Sequence, residues 1–116
     1  MFALTPATRI YLAAGATDLR LGCDGLWAQA QHVLASDPLS GHLFVFCNRS
    51  KDRIKILLWD GTGLWLCAKK LPKGRYSWPA VREGQGRVCL RADELTLLLS
   101  GIELERTRAK EWWRRE

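Results

Sequence analysis

This 116-residue sequence has little that would signal an enzyme, a metalloprotein or a membrane protein. Its two histidines are His32 and His42, too far apart for the His-x-His pair of a metal-dependent nuclease. Its four cysteines form no Cys-x-x-Cys motif, which argues against structural zinc. No apolar run approaches the roughly 20 residues that span a bilayer. The glycines form neither a phosphate loop nor a dinucleotide fingerprint. We therefore expect no metal, no cofactor and no membrane segment.

Carboxylates are also too scattered to suggest a catalytic centre. Two-metal cleavage or joining of DNA needs carboxylates that converge on one site. Helix capping and turn formation account for most of the acidic residues here. The acidic residues considered as possible catalytic carboxylates are Asp18, Asp24, Asp52, Asp60, Asp93 and Glu94. The sequence predicts a protein that is not an enzyme.

The four cysteines leave two interpretations open. An even number is compatible with two disulfides, but all four lie within apolar patterns, where a thiol is a small apolar side chain. The first residues lack a basic region followed by a long apolar core, so we expect no signal peptide, a cytoplasmic location and reduced thiols. The positions are Cys23, Cys47, Cys67 and Cys89.

Positive charge is concentrated in the middle of the chain. The net charge is +6, and residues 48–82 hold nine basic residues against two acidic ones, a local balance of +7. Such a field attracts nucleic acid or an acidic protein surface, and salt weakens it. The alternative is a solvated face that maintains solubility.

The hydrophobic pattern predicts an α+β fold, with an antiparallel sheet of about five strands (a meander) and one or two helices packed on one face. Thr17 is the predicted N-cap of the first helix, although Gly22 and Gly25 either allow close packing or mark a broken first turn. A second helix is predicted from about 92 to 100. We expect one domain over 1–103 and a charged tail over 104–116. The predicted strands are 9–13, 43–47, 53–59, 64–70 and 75–78.

Several tryptophans are candidates for binding. Trp59 and Trp65, beside Lys55 and Lys69 on the predicted strands, suggest a stacking platform for bases. Cross-strand packing or cover by a helix explains the same pattern. The pair Trp112 and Trp113 is either a short docking peptide for a partner or a disordered end.

The chain also resembles a known family over roughly residues 4–103, the TnpB-type second-reading-frame proteins of the IS66 class of bacterial insertion sequences. The resemblance rests on Ala13-Ala14-Gly15-x-Thr17-Asp18-Leu19-Arg20-x-Gly22-x-Asp24-Gly25-Leu26, Gly41-His42-Leu43-Phe44-Val45-Phe46, Asp52-Arg53-Ile54-Lys55, Leu58-Trp59-Asp60-Gly61, Ala68-Lys69-Lys70-Leu71, Gly74-Arg75-Tyr76-x-Trp78-Pro79 and Leu99-x-Gly101-Ile102. It implies a small accessory protein of a transposon, encoded beside a larger transposase that holds the catalytic acids. No catalytic residue carries over.

Two hypotheses of function follow. In the first, the protein is an accessory factor of DNA transposition that contacts DNA phosphates at the ends of the element, with the transposase as a second partner. In the alternative, it is a protein–protein adaptor that docks on the transposase without binding DNA. The pattern does not define an oligomeric state. The predicted phosphate contacts are Arg49, Lys51, Arg53, Lys55, Lys69, Lys70, Lys73 and Arg75, with apolar contacts from Trp59 and Trp65.

Overall fold

The structure, a computed structural model, describes residues 8–32, 41–79 and 86–100, and the backbone of 114–115. The predicted α+β class with a mainly antiparallel sheet is confirmed. The predicted domain boundary at 103 and the pair Trp112 and Trp113 lie outside the described residues. The elements are β1 (Ile10–Ala13), α1 (Cys23–His32), β2 (Leu43–Cys47), β3 (Arg53–Trp59), β4 (Leu64–Lys70), β5 (Arg87–Leu90), α2 (Ala92–Leu99) and β6 (Arg114–Arg115).

The sheet has the strand order β4-β3-β2-β1-β5-β6. The predicted meander is confirmed for β2, β3 and β4, which pair antiparallel in sequence order. One pair differs from the prediction, because β1 lies parallel to β2. The connection between these two strands contains α1, and a crossover through a helix returns the chain in its original direction.

The fifth strand is not where the sequence analysis placed it. Residues 75–78 form no strand, and β5 pairs with β1 instead. The alternation of Tyr76 and Trp78 reflects burial against a sheet face, since their exposed fractions are 2% and 6%. The Trp78 indole donates a hydrogen bond to the Ala13 carbonyl at 2.9 Å. The period-2 pattern therefore identified buried side chains correctly but not their backbone pairing.

The first helix begins later than predicted. Thr17 does not cap it, because its amide donates to the Cys47 carbonyl at 2.7 Å and holds the segment before α1 against the sheet. A Cβ at Gly25 would lie 2.8 Å from Leu21 Cβ, so glycine permits this segment to fold back on the helix. Of the two interpretations of the glycines, the broken first turn agrees with a helix that begins at Cys23.

The central strands of the sheet are buried on both faces, which explains why every residue of β2 is apolar and buried. Leu26 and Ala30 of α1 pack on one face with Phe44, Phe46 and Leu57. Leu95 and Leu98 of α2 pack on the opposite face with Val45, Ile56 and Leu58. The helices thus cover opposite faces, whereas the sequence analysis placed them on one.

All four cysteines are free, which agrees with reduced thiols and not with disulfides. Cys47 is fully buried in the core, and burial raises the pKa of its thiol to about 12. Within the described ranges, neither helix is long and apolar enough to cross a membrane.

Candidate nucleic-acid interface

A groove of about 980 Å³ opens where β3 begins and β4 ends. The segment 16–20 before α1 forms one wall, and the turn 48–50 between β2 and β3 forms another. Its lining includes a single acidic residue, Asp18. The basic residues that line it are Arg20, Arg49, Arg53, Lys55, Lys69 and Lys70. The fold thus brings five of the eight predicted phosphate contacts to one concavity.

The ends of β3 and β4 place two cations side by side. Arg53 lies directly opposite Lys70 in the antiparallel register, and both are exposed. Neither side chain forms an ion pair in the described part of the chain. The nearby Asp52 carboxylate accepts a hydrogen bond from Asn48 Nδ2 at 2.8 Å. This hydrogen bond, more than the neighbouring cations, lowers the pKa of Asp52.

The turn from 48 to 53 is organised by the Asn48 side chain. Its Oδ1 accepts hydrogen bonds from the amides of Asp52 at 3.2 Å and Arg53 at 3.1 Å. Lys51 adopts a left-handed φ of 61° to close the turn, a conformation that asparagine or glycine adopts more readily than lysine. The turn therefore fixes where Arg49 and Arg53 stand beside the groove.

Arg20 is a groove cation that the sequence analysis named only as part of a family motif. Its Nε and one terminal nitrogen donate to the two Asp18 carboxylate oxygens at 3.0 Å each. These hydrogen bonds lower the pKa of Asp18. The Arg20 side chain remains 91% exposed. The Asp-x-Arg spacing is the feature of the sequence that could have drawn attention to Arg20. Only the fold shows that this segment faces the basic turn.

Lys55 holds the groove together rather than presenting a free charge. Its ammonium group donates hydrogen bonds to the carbonyls of Leu19 and, at 3.4 Å, Leu21. Both acceptors belong to the segment before α1. Lys55 consequently ties the groove wall to β3.

Lys69 lines the groove, but its ammonium group is engaged on the opposite face of the sheet. Its ammonium donates to the Leu99 carbonyl at 2.6 Å, at the C-terminal end of α2 on the opposite face of the sheet. A cation there satisfies a carbonyl that has no partner within the helix and complements the helix dipole.

The predicted platform of Trp59 and Trp65 does not form, because the two side chains lie on opposite faces of the sheet. Trp59 is opposite Leu64, and Trp65 is opposite Leu58. Directly opposed residues share a face, so the register of the hairpin decides which side chains stand together. Trp65 is 49% exposed on the α2 face, where its indole donates to Asp60 Oδ2 at 2.6 Å.

Three further predicted contacts, Lys51, Lys73 and Arg75, are exposed but lie outside the groove lining. They can add to the surrounding potential without forming part of the concave site.

Five of the six acidic side chains in the described ranges have structural partners; the exception is Asp24. Asp60 accepts the amides of Thr62 and Gly63 at 2.9 Å and the Trp65 indole, and these bonds lower its pKa to about 2. Glu94 Oε1 accepts the Arg91 amide at 2.9 Å at the start of α2. In these same ranges no group of three or more His, Cys, Asp or Glu side chains is placed to hold a metal ion.

Comparison with known proteins identifies the family. The model of the IS66 Orf2-like family matches residues 8–109. The uncharacterized protein y4hO of Sinorhizobium fredii is 41% identical over 106 residues, covering 91% of this chain and 89% of its own length. The uncharacterized protein y4jC of the same organism is 34% identical over 102 residues, which cover 88% of this chain and 86% of y4jC. No solved structure matches significantly. The predicted resemblance is confirmed, and the chain belongs to the family of IS66 Orf2-like proteins of insertion sequences.

Proposed function

We propose that this protein is a non-catalytic accessory factor in the transposition of an IS66-type insertion sequence, and that it contacts DNA phosphates through the basic groove. The observation that carries the proposal is the meeting of Arg20, Arg49, Arg53 and Lys70 around one concavity. These residues come from three separate segments. Their convergence is a property of the fold and is not explained by the need for a soluble surface alone.

The charge of the groove sets the expected strength and salt dependence of binding. Asp18 offsets Arg20, and Lys55 and Lys69 are engaged with backbone carbonyls, which leaves about three cations for phosphates. Each neutralised phosphate of duplex DNA contributes about −0.9 to the slope of log K against log salt. We therefore expect a slope of about −3 and micromolar rather than nanomolar affinity.

An accessory role fits the family and the arrangement of acidic groups. Transposition chemistry requires converging carboxylates, whereas the acids described above cap helices, close turns or pair with arginine. We propose that the catalytic acids belong to a larger transposase of the same element. The DNA ends and this transposase are the proposed partners, in the cytoplasm.

The test is a titration of labelled duplex DNA at 25 to 200 mM salt, followed by fluorescence anisotropy. Wild-type protein should bind with the slope given above, and the double variant Arg53→Gln/Lys70→Gln should lose most of the affinity. Lys73→Gln/Arg75→Gln removes the same two charges outside the groove and serves as the comparison. Absence of wild-type binding at the lowest salt would overturn the proposal.

The adaptor hypothesis is supported by a different surface. Trp65 and Leu97 are the exposed large apolar side chains of the described residues, at 49% and 43%, and Trp65 lies on the sheet face that α2 covers. A pull-down of the transposase after nuclease treatment separates the two ideas. An adaptor keeps its partner and loses it on Trp65→Ala, whereas a DNA-bridged complex disappears with the nuclease.

A further inference from the structure

The opposition of Arg53 and Lys70 is unfavourable for the free protein. Like charges directly opposite in an antiparallel pair destabilise a sheet, since their Cβ atoms lie about 5 Å apart. A strand end would normally pair a cation with a carboxylate. Here Asp52, next to Arg53 in sequence, has its side chain hydrogen-bonded to Asn48. Its Coulombic attraction to Arg53 and Lys70 is a weaker influence on its carboxylate, and it forms no ion pair with either cation in the described part of the chain. Local rules of this kind are broken mainly where function requires it.

The groove beside this pair offers further donors in fixed positions. Arg49 and Ser50 lie in the turn that Asn48 organises, and both line the groove. In the described part of the chain, neither the Ser50 hydroxyl nor the amides of Arg49 and Ser50 have a hydrogen-bond partner. Backbone amides and hydroxyls beside arginine form the donor set that binds phosphate oxygens in many proteins.

The groove lining favours the phosphate backbone over stacked bases. Among the described residues that line it, none is aromatic, so bases have no surface on which to stack. Arginine can also read guanine edges. However, the repulsion between Arg53 and Lys70 is relieved by an anionic phosphate and not by a neutral base, and phosphates carry no sequence information.

We infer that Arg53 and Lys70, with Arg49 and Ser50, form a phosphate-binding subsite that holds the DNA backbone independently of base sequence. The inference rests on the proposed function and assigns it a location and a mode of recognition. A bound phosphate neutralises the repulsion between the opposed cations. The free protein gives up some stability at this sheet end, and the bound anion restores it.

The first test uses inorganic phosphate as the probe and thermal unfolding as the readout. At equal ionic strength, phosphate in place of chloride should raise the melting temperature of wild-type protein. Lys70→Gln should melt at a higher temperature than wild type without phosphate and should respond less to phosphate. Lys73→Gln should keep the wild-type response. An equal response in the wild type and both variants would overturn the subsite.

The second test measures binding to two duplexes of unrelated sequence. Wild-type affinity for the two should agree within about twofold. Lys70→Gln should weaken both by about tenfold, with the magnitude of the salt slope reduced by about 1. Lys73→Gln should cost about twofold or less. A wild-type preference above tenfold for one duplex would contradict backbone-only recognition.

The outcomes separate the subsite from the proposed function. If wild type binds DNA but Lys70→Gln and Lys73→Gln lose affinity equally, the subsite is wrong and the proposed function stands. If phosphate stabilises the protein but no duplex binds at low salt, the groove binds free phosphate and not DNA. That result would overturn both the DNA subsite and the phosphate-contact part of the proposed function.

Discussion

The Asn48→Ala substitution tests whether a single side chain organises the basic turn. It removes two hydrogen bonds that Oδ1 accepts and one that Nδ2 donates. Each intramolecular hydrogen bond contributes a net of about 1 kcal/mol, and water can replace part of the loss at this half-buried site. We expect the free energy of unfolding to fall by about 1–2 kcal/mol. For a domain of this size that lowers the melting temperature by roughly 4–12 °C.

The same substitution should weaken DNA binding without changing the charge of the groove. Because Arg49 and Arg53 remain but are less well positioned, the affinity should fall by about threefold to tenfold while the salt slope stays near its wild-type value. Urea unfolding and anisotropy titration at several salt concentrations measure the two effects. Asn48→Asp keeps the acceptors but sets a second carboxylate beside Asp52, so it should rescue stability only partly. A variant with wild-type stability and wild-type affinity would refute this account of the turn.

Three further predictions concern stability. Lys55→Met should lower the free energy of unfolding by about 1–3 kcal/mol, because the Leu19 and Leu21 carbonyls lose their tether; unchanged urea unfolding, with only DNA affinity reduced, would make Lys55 a phosphate contact instead. Lys51→Gly should raise the free energy of unfolding by up to about 1 kcal/mol, since lysine is strained at a φ of 61°; a lower urea midpoint would contradict this. The pKa of Asp60 is lower in the folded protein than its ordinary value of 3.8, so the ionised carboxylate stabilises the fold at pH values above 3.8. This stabilisation is lost as the pH falls from there towards about 2. The melting temperature of Asp60→Asn should therefore drop less between pH 5 and 2 than that of wild type.

Much of the fold was predictable because its strands are locally distinctive. The apolar run of β2, the alternation in β3 and the Asp60-Gly61 turn signal placed the meander correctly, and Gly61 adopts the positive φ of 103° that such turns need. The segment at 75–78 was misassigned because a period of two reports alternating burial, and packing against a sheet face produces it as readily as strand pairing. The parallel pair of β1 and β2 depends on long-range contacts that periodicity does not encode.

The candidate site was predictable in composition but not in geometry. The charge of residues 48–82 identified Arg49, Arg53 and Lys70, whereas the hairpin register separated Trp59 from Trp65. Lys55 and Lys69 carry the same charge as Lys70, yet backbone carbonyls engage both. Arg20 was missed because it is distant in sequence from the basic segment. Only folding brings it to the groove.

The most direct measurement of the central claim is the salt dependence of DNA affinity for wild type and for Arg53→Gln/Lys70→Gln. We predict a wild-type slope of log K against log salt of about −3 and a double-variant slope of about −1. Identical slopes for the two proteins, or no binding by wild type at 25 mM salt, would contradict the claim that DNA phosphates lie in this groove.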